Sequence, residues 1–244
     1  MIKIVFFSCW TLALISANIA NPVIVKYISN GISGGTLLVS GKQLTPQYTA
    51  IQLNNSSLCK CRNGCSSYIG CLGFSLIETN DTKDCQLTKQ HPFTAQYQDQ
   101  DTALFGFSVD SLDAKHTFIM DDNNFYFIPK PAMYFHLIQG ICELVPGFHF
   151  AMFKTKKELE ALMYMSNAVD LDLFINLQFT GGSDVEWGDS TPLGNITAHN
   201  LGLTIPDERY LHYPYYFFQK QFTKFMFSAA HVPYHYLCQA KIEN

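Results

Sequence analysis

Charge is the first thing this chain is short of. Its 244 residues hold 16 Lys and Arg against 20 Asp and Glu, a net charge of −4, and the basic residues gather in no run. Nucleic acid is thereby excluded as a partner, because phosphate binding needs a concentrated positive patch. Long apolar runs are scarce as well. Only residues 4–15 form one, and a spanning helix needs roughly 20 apolar residues, so no membrane span is expected. No period repeats and no segment is of low complexity. The chain lacks a G-x-S-x-G elbow, a phosphate loop and any paired-carboxylate motif, so no enzyme is expected. It also lacks C-x2-C knuckles, which argues against a zinc site built from Cys59, Cys61, Cys65 and Cys71.

What is present points outward from the cell. Lys3, the apolar run and the small residues Ser16, Ala17 and Ala20 stand in the order of a secretory signal peptide over residues 1–20. Cys9 would leave with it, and seven cysteines remain: Cys59, Cys61, Cys65, Cys71, Cys85, Cys142 and Cys238. Secreted chains use such crowded and widely parted cysteines for disulfides, and an odd count leaves one thiol over. Sequons at Asn54, Asn55, Asn80 and Asn195 fit the glycosylated surface loops of an exported protein.

Residues 23–109 read as strand-like and turn-rich, and residues 110–124, polar and charged at both ends, read as a linker. In the second half, residues 125–244, Pro131 suits the first turn of a helix carrying Met133, Leu137, Ile138 and Ile141, limited by Gly140 and Gly147. Thr155 and Glu158 form a capping box for a second helix with Leu159, Leu162 and Met163 on its buried stripe. Helices followed by strands suggest α+β.

Cys142, the segment FHFAMF, the capped helix TKKELEALM, FINL at residues 174–177, VEWGDSTPL and the terminal YLCQ with Cys238 follow one another over about 120 residues. In this order the second half resembles the C-type-lectin-like fold. The resemblance implies two helices, antiparallel strands, a long loop and a Cys142–Cys238 bridge. CRNGC, then Cys71 and Phe74, then Cys85-Gln86-Leu87 make the first half resemble a small disulfide-rich PAN/apple-like domain. That resemblance implies bridges Cys61–Cys85 and Cys65–Cys71, with Cys59 unmated.

Calcium-dependent sugar binding in the lectin-like family needs oxygen-bearing residues at two places, and calcium wants six to eight oxygens. Here the loop tripeptide falls at Ile205-Pro206-Asp207, and the Asn-Asp pair of the strand before the last falls near Met226-Phe227-Ser228. The usual calcium ligands are not matched, and no cofactor or metal is expected. Asp184, Glu186, Asp189, Asp207 and Glu208 remain as acids that read as solvated loop residues, and His231 and His235 lack a third ligand beside them. Trp187 is read as core rather than as a sugar platform.

The expectation is a secreted recognition protein for a glycan or glycoprotein, working without the usual calcium cage. Its surface would be the long loop, about residues 188–219, with Pro206, Asp207, Glu208, Tyr210 and Tyr213 as ligand-binding candidates and with the aromatics Tyr210, Tyr213, Tyr215, Tyr216, Phe217 and Phe218 able to hold the loop by packing where the family's second disulfide is missing. The second reading is an extracellular protein–protein interaction module, dimerising through Cys59.

Overall fold

A computed structural model describes residues 24–29, 35–79, 82–120, 123–181, 184–193, 215–219, 224–228 and 232–243. In the first half, β1 (Val25–Ser29), β2 (Gly35–Leu44), β3 (Ile51–Leu53), β4 (Gly73–Glu78), β5 (Lys83–Thr88) and β6 (Tyr97–Ser108) form an antiparallel sheet in the order β1-β2-β6-β4-β5-β3. Helix α1 (Leu58–Ser67) starts at Ser57, whose hydroxyl accepts the Lys60 amide and satisfies one of the orphan donors of the first turn. Two disulfides hold the helix down, Cys61–Cys85 and Cys65–Cys71.

The residues expected to be a linker are structured. Val109–Leu112 make a 3-10 turn, and β7 (Ala114–Ile119) pairs with β8 (Asn124–Pro129). On β7 only Ala114 and Phe118 are partly withdrawn from solvent, and a bulge between Ala114 and His116 lets them pack against different cores, Ala114 beside Phe125 and Phe127 and Phe118 beside Tyr126 and Ile128. An edge strand with most of its residues in water has the polar composition of a connection.

Helix α2 (Phe135–Glu143) also departs from expectation. Pro131 lies outside it, because Met133 exchanges backbone hydrogen bonds with Tyr234 and is thereby committed to an extended shape. Gly140 lies inside the helix, on its exposed side, and does not end it. The buried stripe is Phe135, Ile138 and Cys142, whereas Leu137 faces solvent. Helix α3 (Lys156–Val169) begins at the expected capping box: the Glu158 amide donates to Thr155 Oγ1 at 3.2 Å and the Thr155 amide to Glu158 Oε2 at 2.8 Å.

The remaining strands are β9 (His149–Phe150), β10 (Leu173–Gly181), β11 (Asp184–Trp187), β12 (Tyr215–Gln219), β13 (Lys224–Ser228), β14 (His235–Tyr236) and β15 (Cys238–Lys241). They form two sheets with β7 and β8, ordered β7-β8-β15-β9 and β11-β10-β12-β13, and β14 runs parallel to β10. Cys142 on α2 is bonded to Cys238 on β15, 96 residues later. Closing a loop of that size removes about 4–5 kcal/mol of unfolded-chain entropy in the simple polymer account. The mixed helices and antiparallel sheets thus appear in the order the lectin-like resemblance implies.

Strand alternation divides the buried side chains between cores. Phe125 and Phe127 of β8 point into a cluster with Leu37, Val39, Phe105 and Phe107 of the first half and Phe135 and Ile138 of α2. Tyr126 and Ile128 point the other way, onto Ala161, Leu162 and Met165 of α3. A third cluster, with Leu38, Phe74 and Leu87, lies under α1. The middle cluster belongs to both halves. Phe127 meets Phe93 edge-on at 5.7 Å and Phe148 at 5.2 Å, and the Glu243 amide donates to the Val25 carbonyl.

Because that core is shared, Phe127→Ala is expected to cost about 3–5 kcal/mol, the usual price of emptying a buried phenylalanine site, and to lower the unfolding of both halves together. Thermal melts followed by hydrogen exchange at β4 and at β10 measure this; two separated transitions would contradict it.

Candidate functional site

The second half holds the base from which residues 194–214 depart. On one side is the β11 turn. Trp187 is 1 % exposed and packs among Ile175, Leu177, Tyr216 and Leu237. An indole buried there is core, as the sequence suggests, and offers no face to a sugar. Gly188 follows it because the chain passes close to Asn176: a Cβ at 188 would meet the Asn176 side chain at 2.1 Å. The Gly188 amide donates to the Asn176 carbonyl at 3.0 Å, which ties the turn to β10.

Asp189, one of the candidate acids, is already engaged. Lys154 Nζ, just before α3, donates to its Oδ2, and Thr191 donates to its Oδ1 through both hydroxyl and amide. Lys154 also donates to Thr191 Oγ1 at 2.8 Å. The Lys154 and Thr191 hydrogen bonds lower the Asp189 pKa to about 2. Both carboxylate oxygens are therefore committed to fixing the turn against α3. Among the described residues no group of three His, Cys, Asp or Glu side chains is placed to hold a metal ion.

On the other side, β12 and β13 close the base. The run Tyr215-Tyr216-Phe217-Phe218 closes the expected loop, residues 188–219, and was expected to help hold it by packing where no second disulfide can. Tyr216, Phe217 and Phe218 are buried and Tyr215 is half-buried. Tyr215 stacks on Phe135 at 3.9 Å, and Phe217 stacks on Tyr234 at 4.5 Å. Alternation explains this: Tyr216 and Phe218 join the α3 core and Phe217 joins the shared core, so the strand is buried on both faces. The exposed loop expected over residues 188–219 therefore does not include Tyr216, Phe217 and Phe218. Met226 on β13, where the resemblance places a calcium-ligating pair, packs against the shared core. A thioether at 226 supplies no hard oxygen of the kind calcium requires.

Pro206, Asp207, Glu208, Tyr210 and Tyr213 lie outside the described residues, as do His231, Asn80 and Asn195. His235 lies on β14; burial, followed by the charge of Lys115, lowers its pKa against a weaker opposing hydrogen bond at Pro129. Asn54 and Asn55 are both exposed, in the turn ahead of α1. Cys59 on α1 is an exposed free thiol.

The first half presents a cleft that sequence reasoning missed. Its volume is about 340 Å³ and its walls include Arg62, Ser66, Ser67, Tyr68 and Ile69. Ile69 at its rim is 88 % exposed, and Lys89 places its ammonium 4.5 Å from the centre of the Tyr68 ring. The signal was a short one: the Cys65–Cys71 bridge clamps a turn in which an isoleucine has no core to enter.

No known family signature matches the chain, and no curated protein matches it. Among solved structures it is similar to the C-type lectin receptor Clec4f of Kupffer cells, at 17% identity over 53% of this chain and 85% of that one, with a TM-score of 0.44. The carbohydrate-recognition domain of the mouse scavenger receptor C-type lectin is similar at 12% identity over 53% of this chain and 97% of that one, with a TM-score of 0.42. The C-type lectin CEL-I from Cucumaria echinata is similar at 13% identity over 54% of this chain and 97% of that one, with a TM-score of 0.41.

Trp187 and Asp189 should separate sharply on mutation. Trp187→Ala is expected to cost about 3–5 kcal/mol. Asp189→Asn should cost no more than about 1 kcal/mol, because the pair with Lys154 is open to solvent. Since the folded-state pKa of Asp189 is depressed, its contribution is present above the unfolded value and fades only as pH falls towards about 2. Denaturant titrations of the two variants at neutral and acid pH read both effects.

Proposed function

We propose that this chain is a secreted, non-enzymatic recognition protein that binds a carbohydrate or glycoprotein ligand through residues 194–214, without the usual calcium cage. The observation that carries the reading is Met226. At the place where a calcium-dependent lectin would present acid and amide oxygens, this chain turns a thioether into the core. Asp189, the described acid of the neighbouring turn, is held by Lys154 and Thr191. Recognition then falls to loop side chains such as Pro206, Asp207, Glu208, Tyr210 and Tyr213, carried on a rigid frame.

Export fits the three disulfides, and no described helix is long and apolar enough to cross a membrane. In the same reading, residues 1–20 are a signal peptide, residues 23–109 are a PAN/apple-like domain, and the exposed Asn54–Asn55 turn carries one N-glycan. Adjacent asparagines would not both be used.

A second reading gives the first half a protein-contact role, with Cys59 as the link of a covalent homodimer. The exposed thiol on α1 favours it. Comparing the secreted protein on reducing and non-reducing gels decides that version; a monomer band in both lanes removes it.

A glycan array probed with and without EDTA tests the main reading. Binding that survives EDTA is the expected result. Strong EDTA-sensitive binding to mannose or galactose would overturn the calcium argument, and failure to bind any glycan or glycoprotein would overturn the whole reading.

A further inference from the structure

The cleft of the first half carries a charge that nothing in it answers. Arg62 lines it, and no aspartate or glutamate does. Arg62 is half-buried and makes no ion pair among the described residues. A second cation stands at the rim, where the exposed Lys89 lies over the Tyr68 ring. A guanidinium partly withdrawn from water and left without a carboxylate gains when an anion arrives.

The other polar side chains of the cleft are mostly hydroxyls. Thr36 and Ser108 stand opposite each other on β2 and β6, so both side chains leave the same face of the sheet and make the floor. Ser66 and Ser67 come from the last turn of α1. Ser66 Oγ donates to the Arg62 carbonyl at 3.1 Å, which leaves its lone pairs to accept. Ser108 Oγ accepts the Asp110 amide at 3.2 Å, which leaves its hydrogen to donate.

We propose that this cleft binds an acidic sugar unit, a saccharide ring carrying a carboxylate. Arg62 takes the carboxylate, the serines take ring hydroxyls, and Ile69 at the rim covers an apolar ring face. The planar guanidinium can grip both oxygens of a carboxylate at once. About 340 Å³ is near the lower end of the roughly 300–1,000 Å³ of small-ligand sites, a size for one sugar rather than a long chain. A sugar is favoured over a peptide because β2 and β6 are already paired with each other at the floor. An extended peptide cannot join there as a further strand, so recognition runs through side chains.

The carbonyls at the end of α1 would repel an anion, but the Tyr68 amide caps those of Gly64 and Cys65. Arg62 is then the one formal charge among the lining residues. The wall needs little ordering on binding, since the Cys65–Cys71 bond and the Cys71 amide, bonded to the Tyr68 carbonyl at 2.9 Å, already fix the turn. The site is separate from residues 194–214 and does not depend on what they bind.

The test titrates the full secreted chain with sialyllactose and with methyl glucuronide, following its amide resonances, with lactose as the neutral counterpart. At least one acidic sugar should shift residues 65–71 saturably, and lactose should not. Arg62→Gln should weaken that binding at least tenfold. Arg62→Lys should recover part of it, because lysine keeps the charge and loses the planar fork. Near-ultraviolet circular dichroism verifies that each variant is folded. No response to either acidic sugar would overturn the proposal, as would an equal response to lactose or binding indifferent to Arg62→Gln. Tighter binding of an acetylated glutamate peptide than of either sugar would make the cleft a peptide site and overturn it too. Shifts confined to residues 194–214 would put the acidic sugar on the loop of the second half, overturning this site while leaving the function proposed above intact.

Discussion

The fold depends on one buried aromatic layer. Phe125 and Phe127 of β8 are packed from one side by Tyr27 and Phe93 of the first half and from the other by Phe148, with ring separations between 5.2 and 6.3 Å. Because β8 is buried on both faces, its even-numbered residues simultaneously anchor α3. One strand therefore couples the first sheet, α2 and α3. Removing the first half would expose Phe125, Phe127 and the edge of the shared core, an apolar surface of the kind that promotes association. The two halves resemble two domains in sequence and behave as one packing unit in space.

That coupling was not legible in the sequence, and the reason is physical. Hydrophobic periodicity reports which residues are buried, and it is silent on what covers them. FYFIP reads as an apolar run whether its outer cover is a helix of the same domain or a sheet of another. The edge strand β7 was hidden for the complementary reason: Lys115, His116 and Thr117 face water, so its composition is that of a linker. Features with a local cause were legible. The Thr155–Glu158 capping box needs only three residues of separation to act, and it marks the start of α3. The disulfide pairings came through resemblance, since seven cysteines alone leave many connectivities open. The start of α2 was misplaced because Pro131 suits a first turn, whereas the bonds between Met133 and Tyr234 are long-range and invisible locally.

Of the candidate site, the parts that could be read were negative. Ile205 and Met226 announce missing calcium ligands by their chemistry alone. The aromatic run at 215–218 reads as rings that hold a loop by packing, and its placement as a doubly buried strand depends on β13 and β10 enclosing it. Four consecutive aromatics are compatible with either reading until both neighbours are known. The cleft beside Ile69 depends in the same way on a covalent clamp meeting a sheet edge.

The chain has no cysteine between 142 and 238 other than the pair itself, so no second disulfide can fix the departure of residues 194–214. An aromatic chain stands in that place. Phe135 contacts Tyr215 and Phe174, Phe174 contacts Tyr234, and Tyr234 contacts Phe217, with centroids 3.9–5.5 Å apart. Such pairs contribute about 0.5–1.5 kcal/mol each beyond the area they bury. Four of them together reach about 2–6 kcal/mol on that scale, comparable with the roughly 2–4 kcal/mol of a typical disulfide. The substitution changes the kind of constraint more than its size. A disulfide acts mainly on the unfolded chain, whereas stacked rings act only in the folded one. The base of the loop is therefore held by the same cooperative packing that joins the two halves, and its stability rises and falls with that of the shared core.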